Sequence, residues 1–201
     1  GEYIVAGSHD YKVYLFDKDS STPIWSYSLA GLPDAVSISA DGDYIAAGSS
    51  DGYVRLFGKG SSTPIWSYLT SGNDYGSIYS VSISADGEYI VAGSTGLRIF
   101  FFDKDSSTPL WKYQTISSVA SSFKRQTVIS ADGKYTVGGS AAAGSSAGKV
   151  YLFKNTIPDR PSLITYGPRS GNEIETPVLR WFAGSDDRSN LTFDVYLDTN
   201  S

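Results

Sequence analysis

The single histidine of this 201-residue chain, His9, lies in the run Ser8-His9-Asp10-Tyr11, and that alone restricts the available chemistry. A Ser-His-Asp triad, a multi-histidine zinc site or a histidine acid/base pair needs an imidazole fixed against partners, whereas His9 reads as a solvated turn residue. Two runs carry oxygen ligands at alternate positions in the manner of a calcium loop: Asp17-Lys18-Asp19-Ser20-Ser21 and Asp103-Lys104-Asp105-Ser106-Ser107. The chain supplies its own control, because the corresponding Gly58-Lys59-Gly60-Ser61-Ser62 keeps the length without either carboxylate. No glutamate follows at the twelfth position in either run, so a polar hairpin is the reading for both, and likewise for the stretch holding Asp186 and Asp187. Gly144 to Val150, GSSAGKV, is one residue short of a phosphate-binding loop and has Val where Ser or Thr is required. A strand-like run follows it, so no helix N-terminus stands ready for phosphate. The expectation is a non-enzymatic protein with no catalytic residue, no cofactor and no metal.

The residues that recur belong instead to a scaffold. Gly1, Gly42, Gly87 and Gly133 open GEYIVAGS, GDYIAAGS, GEYIVAGS and GKYTVGGS, at spacings of 41, 45 and 46 residues. Trp25, Trp66 and Trp111 keep step at 41 and 45, inside STPIWSY, STPIWSY and STPLWKY. A unit therefore reads as a meander of short strands, VSIS, YIAAGS, YVRLF and PIWSY. Val81 and Ile83 alternate with Ser82 and Ser84, the period of a strand. Asp-Gly pairs at 41–42, 51–52, 86–87 and 132–133 offer the positive φ of tight hairpins. With 15 Tyr, 9 Phe and 4 Trp beside 21 Gly, the composition suits pleated surfaces joined by turns. A sheet this small must bury its faces on its neighbours, and radial stacking at about 40 to 50 residues per unit gives a β-propeller.

VSISADGDYIAAGSSDGYVRLF resembles a WD-repeat blade, and VYLFDKDSSTPIWSY resembles the tryptophan strand region of quinoprotein-type (PQQ-like) propellers. Both resemblances lie within residues 1–154 and imply that VSIS is the innermost strand and PIWSY the outermost. The Trp-Asp dipeptide of the WD pattern is replaced by Phe16-Asp17, Phe57-Gly58 and Phe102-Asp103. The fold class expected is all-β, a partial propeller of about four blades with the first and last incomplete. The first unit lacks an equivalent of VSISAD and the fourth lacks a tryptophan strand, so both ends are expected to be severed from a larger ring. WD-type closure implies that an N-terminal strand completes the last blade. A second copy of the chain is the other way to cover the open faces.

A polar, Pro-containing linker is expected over 155–162, where KNTIPDRPS interrupts the period. Residues 163–201 resemble the opening of a fibronectin type III domain, with Trp181 on one strand and Phe193-Asp194-Val195-Tyr196 on the next. Only part of the roughly 100 residues of such a sandwich is present. A propeller followed by such a domain resembles secreted or surface-displayed prokaryotic proteins, archaeal ones especially. Asn190-Leu191-Thr192 is a glycosylation sequon and favours an outside location.

With 16 Lys and Arg against 21 Asp and Glu the net charge is −5, and no basic run is available to replace the counterions of a nucleic acid. No apolar stretch approaches the roughly 20 residues of a membrane-spanning helix. The absence of cysteine leaves the redox compartment open. What varies between units is the connection from outer strand to next inner strand: SLAGLPDA, LTSGNDYGSIY and QTISSVASSFKRQ. Tyr75, Tyr79, Phe123, Lys124 and Arg125 are the candidate contact residues there, since a rigid ring presents such loops at fixed positions. The tryptophans could stack sugars or quinones, but their fixed place beside Pro23, Pro64 and Pro109 assigns them to blade packing. The leading expectation is a cell-surface or extracellular structural, adhesion or assembly protein. Its partners would be proteins, including copies of itself, with carbohydrate as a further class. An intracellular interaction propeller, or a propeller enzyme with its catalytic residues in other blades, are the alternatives.

Overall fold

A computed structural model describes residues 1–70, 76–115, 126–140 and 149–155, which fall within one compact unit, Gly1–Asn155. The regular structure of the described residues is strand throughout. The first sheet is a meander of β1 (Tyr3–Ser8), β2 (Lys12–Asp17) and β3 (Pro23–Ser28). The second contains β4 (Pro33–Ile38), β5 (Tyr44–Ser49), β6 (Tyr53–Gly58) and β7 (Pro64–Leu69), and the third β8 (Ile78–Ile83), β9 (Tyr89–Ser94), β10 (Arg98–Asp103) and β11 (Trp111–Gln114). The fourth comprises β12 (Thr127–Ile129), β13 (Tyr135–Ser140) and β14 (Lys149–Lys154). Every pairing is antiparallel between consecutive strands, and the result is an all-β partial propeller. Three strands stand in the first sheet and three in the fourth, as the repeat count anticipates.

The register explains why YIAAGS has no polar face. β5 and β6 pair Ile45 with Phe57 and Ala46 with Leu56, so successive residues are sent to opposite faces of the second sheet. Ile45, Ala47 and Phe57 join Val13, Leu15 and Trp25 of the first sheet in one core. Ala46, Val54 and Leu56 join Ile90, Phe100 and Phe102 of the third sheet in another. A sheet buried on both faces reads as a continuous apolar run.

The inner strands adjoin one another in succession. Ser37 Oγ accepts the Ile83 N–H at 3.3 Å, and Ser82 Oγ accepts the Ile129 N–H at 3.4 Å. Ser80 Oγ accepts the Thr127 N–H at 2.8 Å. Ala40 donates its N–H to the Ala85 carbonyl and Ala85 to that of Ala131, each at 2.9 Å. The serines that alternate with Val and Ile are therefore used to staple neighbouring sheets.

The Ser-x-Asp-Gly turns are self-contained. Ser84 and Ser130 donate their hydroxyls to Asp86 and Asp132 at 2.6 Å, and each hydroxyl accepts the N–H of Tyr89 or Tyr135 at 3.0 Å. The same bonds join Ser39, Asp41 and Tyr44. Gly42, Gly52, Gly87 and Gly133 take φ of 80°, 83°, 73° and 72°, as the Asp-Gly pairs require. The position of Gly52 in the second hairpin is filled by Tyr11 (φ 66°) in the first sheet and Leu97 (φ 69°) in the third, a conformation that costs an L side chain about 1–2 kcal/mol.

Candidate interaction surface

Three seams between sheets repeat one aromatic arrangement. The tryptophan and tyrosine of an outer strand face the aromatic residues of the third strand in the next sheet. Trp25 lies 5.4 Å and Tyr27 5.1 Å from Phe57. Trp66 lies 5.3 Å from Phe102, and Tyr68 lies 5.6 Å from Phe100 and 5.3 Å from Phe102. Trp111 and Tyr113 each lie 5.0 Å from Phe153, and Tyr113 lies 5.4 Å from Tyr151. The indole N–H of Trp25 donates to the Lys59 carbonyl at 2.9 Å, and that of Trp66 to the Lys104 carbonyl at 2.7 Å. The tryptophans are thus committed to packing, as their place beside proline implies, and each tilted or edge-on pair adds about 0.5–1.5 kcal/mol beyond simple burial.

The repeated glycines have a second role that turn chemistry does not reveal. A Cβ at Gly42, Gly87 or Gly133 would lie 2.5, 2.4 or 2.5 Å from the ring of Tyr3, Tyr44 or Tyr89 respectively. Each of these three turns is therefore a seat for the tyrosine that opens β1, β5 or β9 of the preceding sheet. Gly1, at the corresponding place in the first sheet, has only its own segment nearby.

The first seam also contains a buried ion pair. Arg55, 6% exposed, donates from Nη2 to Asp51 Oδ2 at 2.8 Å and from Nη1 to Ser49 Oγ at 3.1 Å. Its guanidinium stands 4.3 Å from the Tyr53 ring centroid and 5.9 Å from that of Tyr27. Burial pushes the Asp51 carboxyl up, but the Arg55 guanidinium, the Ser49 hydroxyl and the Tyr53 N–H outweigh it and hold the group below its ordinary value of 3.8. In the first sheet Tyr14 occupies the place of Arg55 and donates to Asp10, which occupies the place of Asp51. In the third, Phe100 and Gly96 stand there, and no acid is needed. The signal lay in YVRLF, where one repeat has a cation at a position that is aromatic in the others.

The Asp-rich turns bind their own chain. Asp17 Oδ1 accepts the Asp19 N–H and Asp103 Oδ1 the Asp105 N–H, both at 2.9 Å. Lys18 pairs with Asp19, and Lys104 with Asp105 at 3.0 Å. His9 is an exposed turn residue. Tyr79 is not a loop residue. β8 begins at Ile78, and Tyr79 is the extra residue of a bulge between Ile78 and Ser80, matched in β4 by Asp34 between Pro33 and Ala35. The inner strands begin before VSIS because the bulge absorbs the added residue. Tyr75, Phe123, Lys124, Arg125 and Asn190 lie outside the described residues, as do the expected linker and the fibronectin-like stretch. On the rim, Ile24, Ile65 and Leu110 occupy equivalent places on or beside the outer strands and are 47%, 52% and 47% exposed.

These features define a class: a repeat-built propeller scaffold whose described interior is spent on packing and whose rim residues Ile24, Ile65 and Leu110 face outward. Residues 28–58 and 63–103 match the model of the WD40 family, the WD domain, G-beta repeat. No curated protein sequence matches the chain significantly. The matched segment 63–103 runs from the outer strand β7 through β8, β9 and β10 of the next sheet. The sequence unit therefore straddles two sheets and links each to its neighbour. The two matched segments span part of the chain and agree with the succession of antiparallel sheets described above.

Proposed function

We propose that this chain is part of a non-enzymatic cell-surface or extracellular propeller that serves structure, adhesion or assembly. The reading rests on the use made of the recurring polar groups: the indole N–H groups of Trp25 and Trp66, the turn carboxylates Asp41, Asp86 and Asp132 and the Arg55 guanidinium are bonded within the scaffold. What differs from unit to unit is then the sequence of the connections, to which Tyr75, Phe123, Lys124 and Arg125 contribute aromatic and cationic residues. Partners are proteins, among them other surface proteins, with carbohydrate as a further ligand class. The sequon at Asn190 and the fibronectin-like stretch favour the outside location. The test is labelling of intact cells with a membrane-impermeant amine reagent. The lysines of this protein should be modified before lysis, and protection until lysis would overturn the surface assignment. Replacing Tyr75, Phe123, Lys124 and Arg125 together by serine should abolish retention on the cell surface with the unfolding midpoint unchanged.

A further inference from the structure

The turn that leads into the outer strand recurs in three sheets as Ser-Ser-Thr-Pro, at 20–23, 61–64 and 106–109. Its backbone is the same each time: the N–H of Ser20, Ser61 and Ser106 donates to the carbonyl of Asp17, Gly58 and Asp103 at 3.2, 3.2 and 3.3 Å. The hydroxyl oxygen of that serine accepts the N–H of the threonine two residues on, at 3.1, 3.0 and 3.0 Å. The first serine hydroxyl is thereby committed. The threonines are engaged through their backbone alone, and among the described residues no hydrogen bond uses the hydroxyl of Thr22, Thr63 or Thr108. All three threonines are exposed, whereas Ser62 and Ser107 beside them are half-buried. Thr63 and Thr108 belong to the second and third sheets, which are packed against a described sheet on either side, so their exposure is a property of the rim.

Nothing in the fold asks for a hydroxyl there. A valine has the same β-branched shape, keeps the backbone N–H that the serine binds, and suits the extended backbone that a following proline imposes. The residues at the start of the turn change between units, from Asp17 and Asp19 to Gly58 and Gly60 and back to Asp103 and Asp105, yet the threonine before proline stays. An exposed hydroxyl on an extended segment beside proline is open to a transferase, and Ser or Thr with Pro is the composition of O-glycosylated segments. We propose that Thr22, Thr63 and Thr108 are acceptors for O-linked sugar, one on the rim of each of these sheets. In the transfer, Thr Oγ1 attacks the anomeric carbon of a nucleotide- or lipid-phosphate-linked sugar. The bond from Oγ1 to that carbon forms as the bond from the carbon to the phosphate oxygen breaks. The phosphate leaves with the electron pair, and the hydroxyl proton passes to a base of the transferase. A phosphoryl group is the poorer fit, because its charge of about −2 would enter a chain of net charge −5 three residues after Asp19 and Asp105. A neutral sugar suits the Asp turns and the Gly turn alike. These acceptors are independent of the surface assignment: amine labelling reports location, and peptide mass reports the modification.

Peptide mass spectrometry with electron-transfer fragmentation, on the full-length protein from the cells that make it, tests this. Peptides holding Thr22, Thr63 and Thr108 should carry mass increments of whole sugar residues, localised to the threonine. Thr63→Val should remove the increment from its own peptide and leave the other two. The triple variant Thr22→Val, Thr63→Val and Thr108→Val should remove all three with the strand circular dichroism unchanged. Thr63→Ser, which keeps a hydroxyl, should keep the increment. Threonines found unmodified in protein from those cells overturn the proposal, as does a phosphoryl increment on them. An increment that persists on the same peptide in Thr63→Val also overturns it, because a neighbouring serine hydroxyl is then the acceptor.

Discussion

The seam between the first and second sheets and the seam between the second and third share a plan and differ at one coupled pair of positions. In the former, Tyr27 meets Arg55, whose charge is held by Asp51 and Ser49; in the latter, Tyr68 meets Phe100, and Gly96 stands where the acid would be. The place opposite the outer-strand tyrosine therefore accepts a cation or a phenyl ring, provided the hairpin four residues earlier changes with it. A buried cation without its acid is costly, whereas a phenyl ring beside a buried acid would leave the carboxylate unpaired.

The widest gap between seams should appear where an aromatic acceptor is removed. Phe102→Ala empties a fully buried position and should cost about 3–5 kcal/mol in urea unfolding. Phe16→Ala, at the equivalent but partly exposed place in the first sheet, should cost about 1 kcal/mol or less. Equal losses would mean that the first sheet is already covered.

Next in size, Asp51→Ala should cost about 2–3 kcal/mol by stranding the Arg55 guanidinium. The double variant Asp51→Gly with Arg55→Phe converts the first seam to the form of the second and should recover stability to within about 1 kcal/mol of the parent. Its response to acid should change as well. Asp51 titrates below 3.8 in the folded chain, so its contribution is complete above that value and is lost as pH falls through the depressed one. Between neutral pH and about pH 3 the double variant should therefore lose less stability than the parent; an identical loss would show that Asp51 is not held by the pair.

The smallest effects separate the two hairpins of a unit. Gly87→Ala combines positive φ with a Cβ driven into the Tyr44 ring and should cost about 2 kcal/mol. Leu97→Gly relieves the same backbone conformation in the other hairpin and should gain about 0.5 kcal/mol, glycine's own entropy cost offsetting the rest. Thermal midpoints measured on both variants decide this, and a loss at Leu97→Gly would show that the leucine side chain matters more than its backbone.

Much of this was legible in residue order. The periods of the glycines and tryptophans located the sheets and the missing strands, and the Asp-Gly pairs located four left-handed glycines. Those features are local: a hairpin is set by its own turn residues, and a strand face by alternation. The placement of Tyr79 was misjudged because a bulge adds a residue without disturbing the neighbouring pattern. The WD40-type match covers the two units in which the pattern is most complete.

Sequence by itself determined that short strands recur in a fixed order and that tryptophan belongs to their packing. Only the tertiary structure decided that Gly42, Gly87 and Gly133 receive a ring from the sheet before, and that Arg55 is neutralised by Asp51 and hydrogen-bonded to Ser49. The reason is that these depend on which residues of different units come within a few ångströms of each other. A period fixes the spacing along the chain, but contact across a seam depends on the twist and register of both sheets at once.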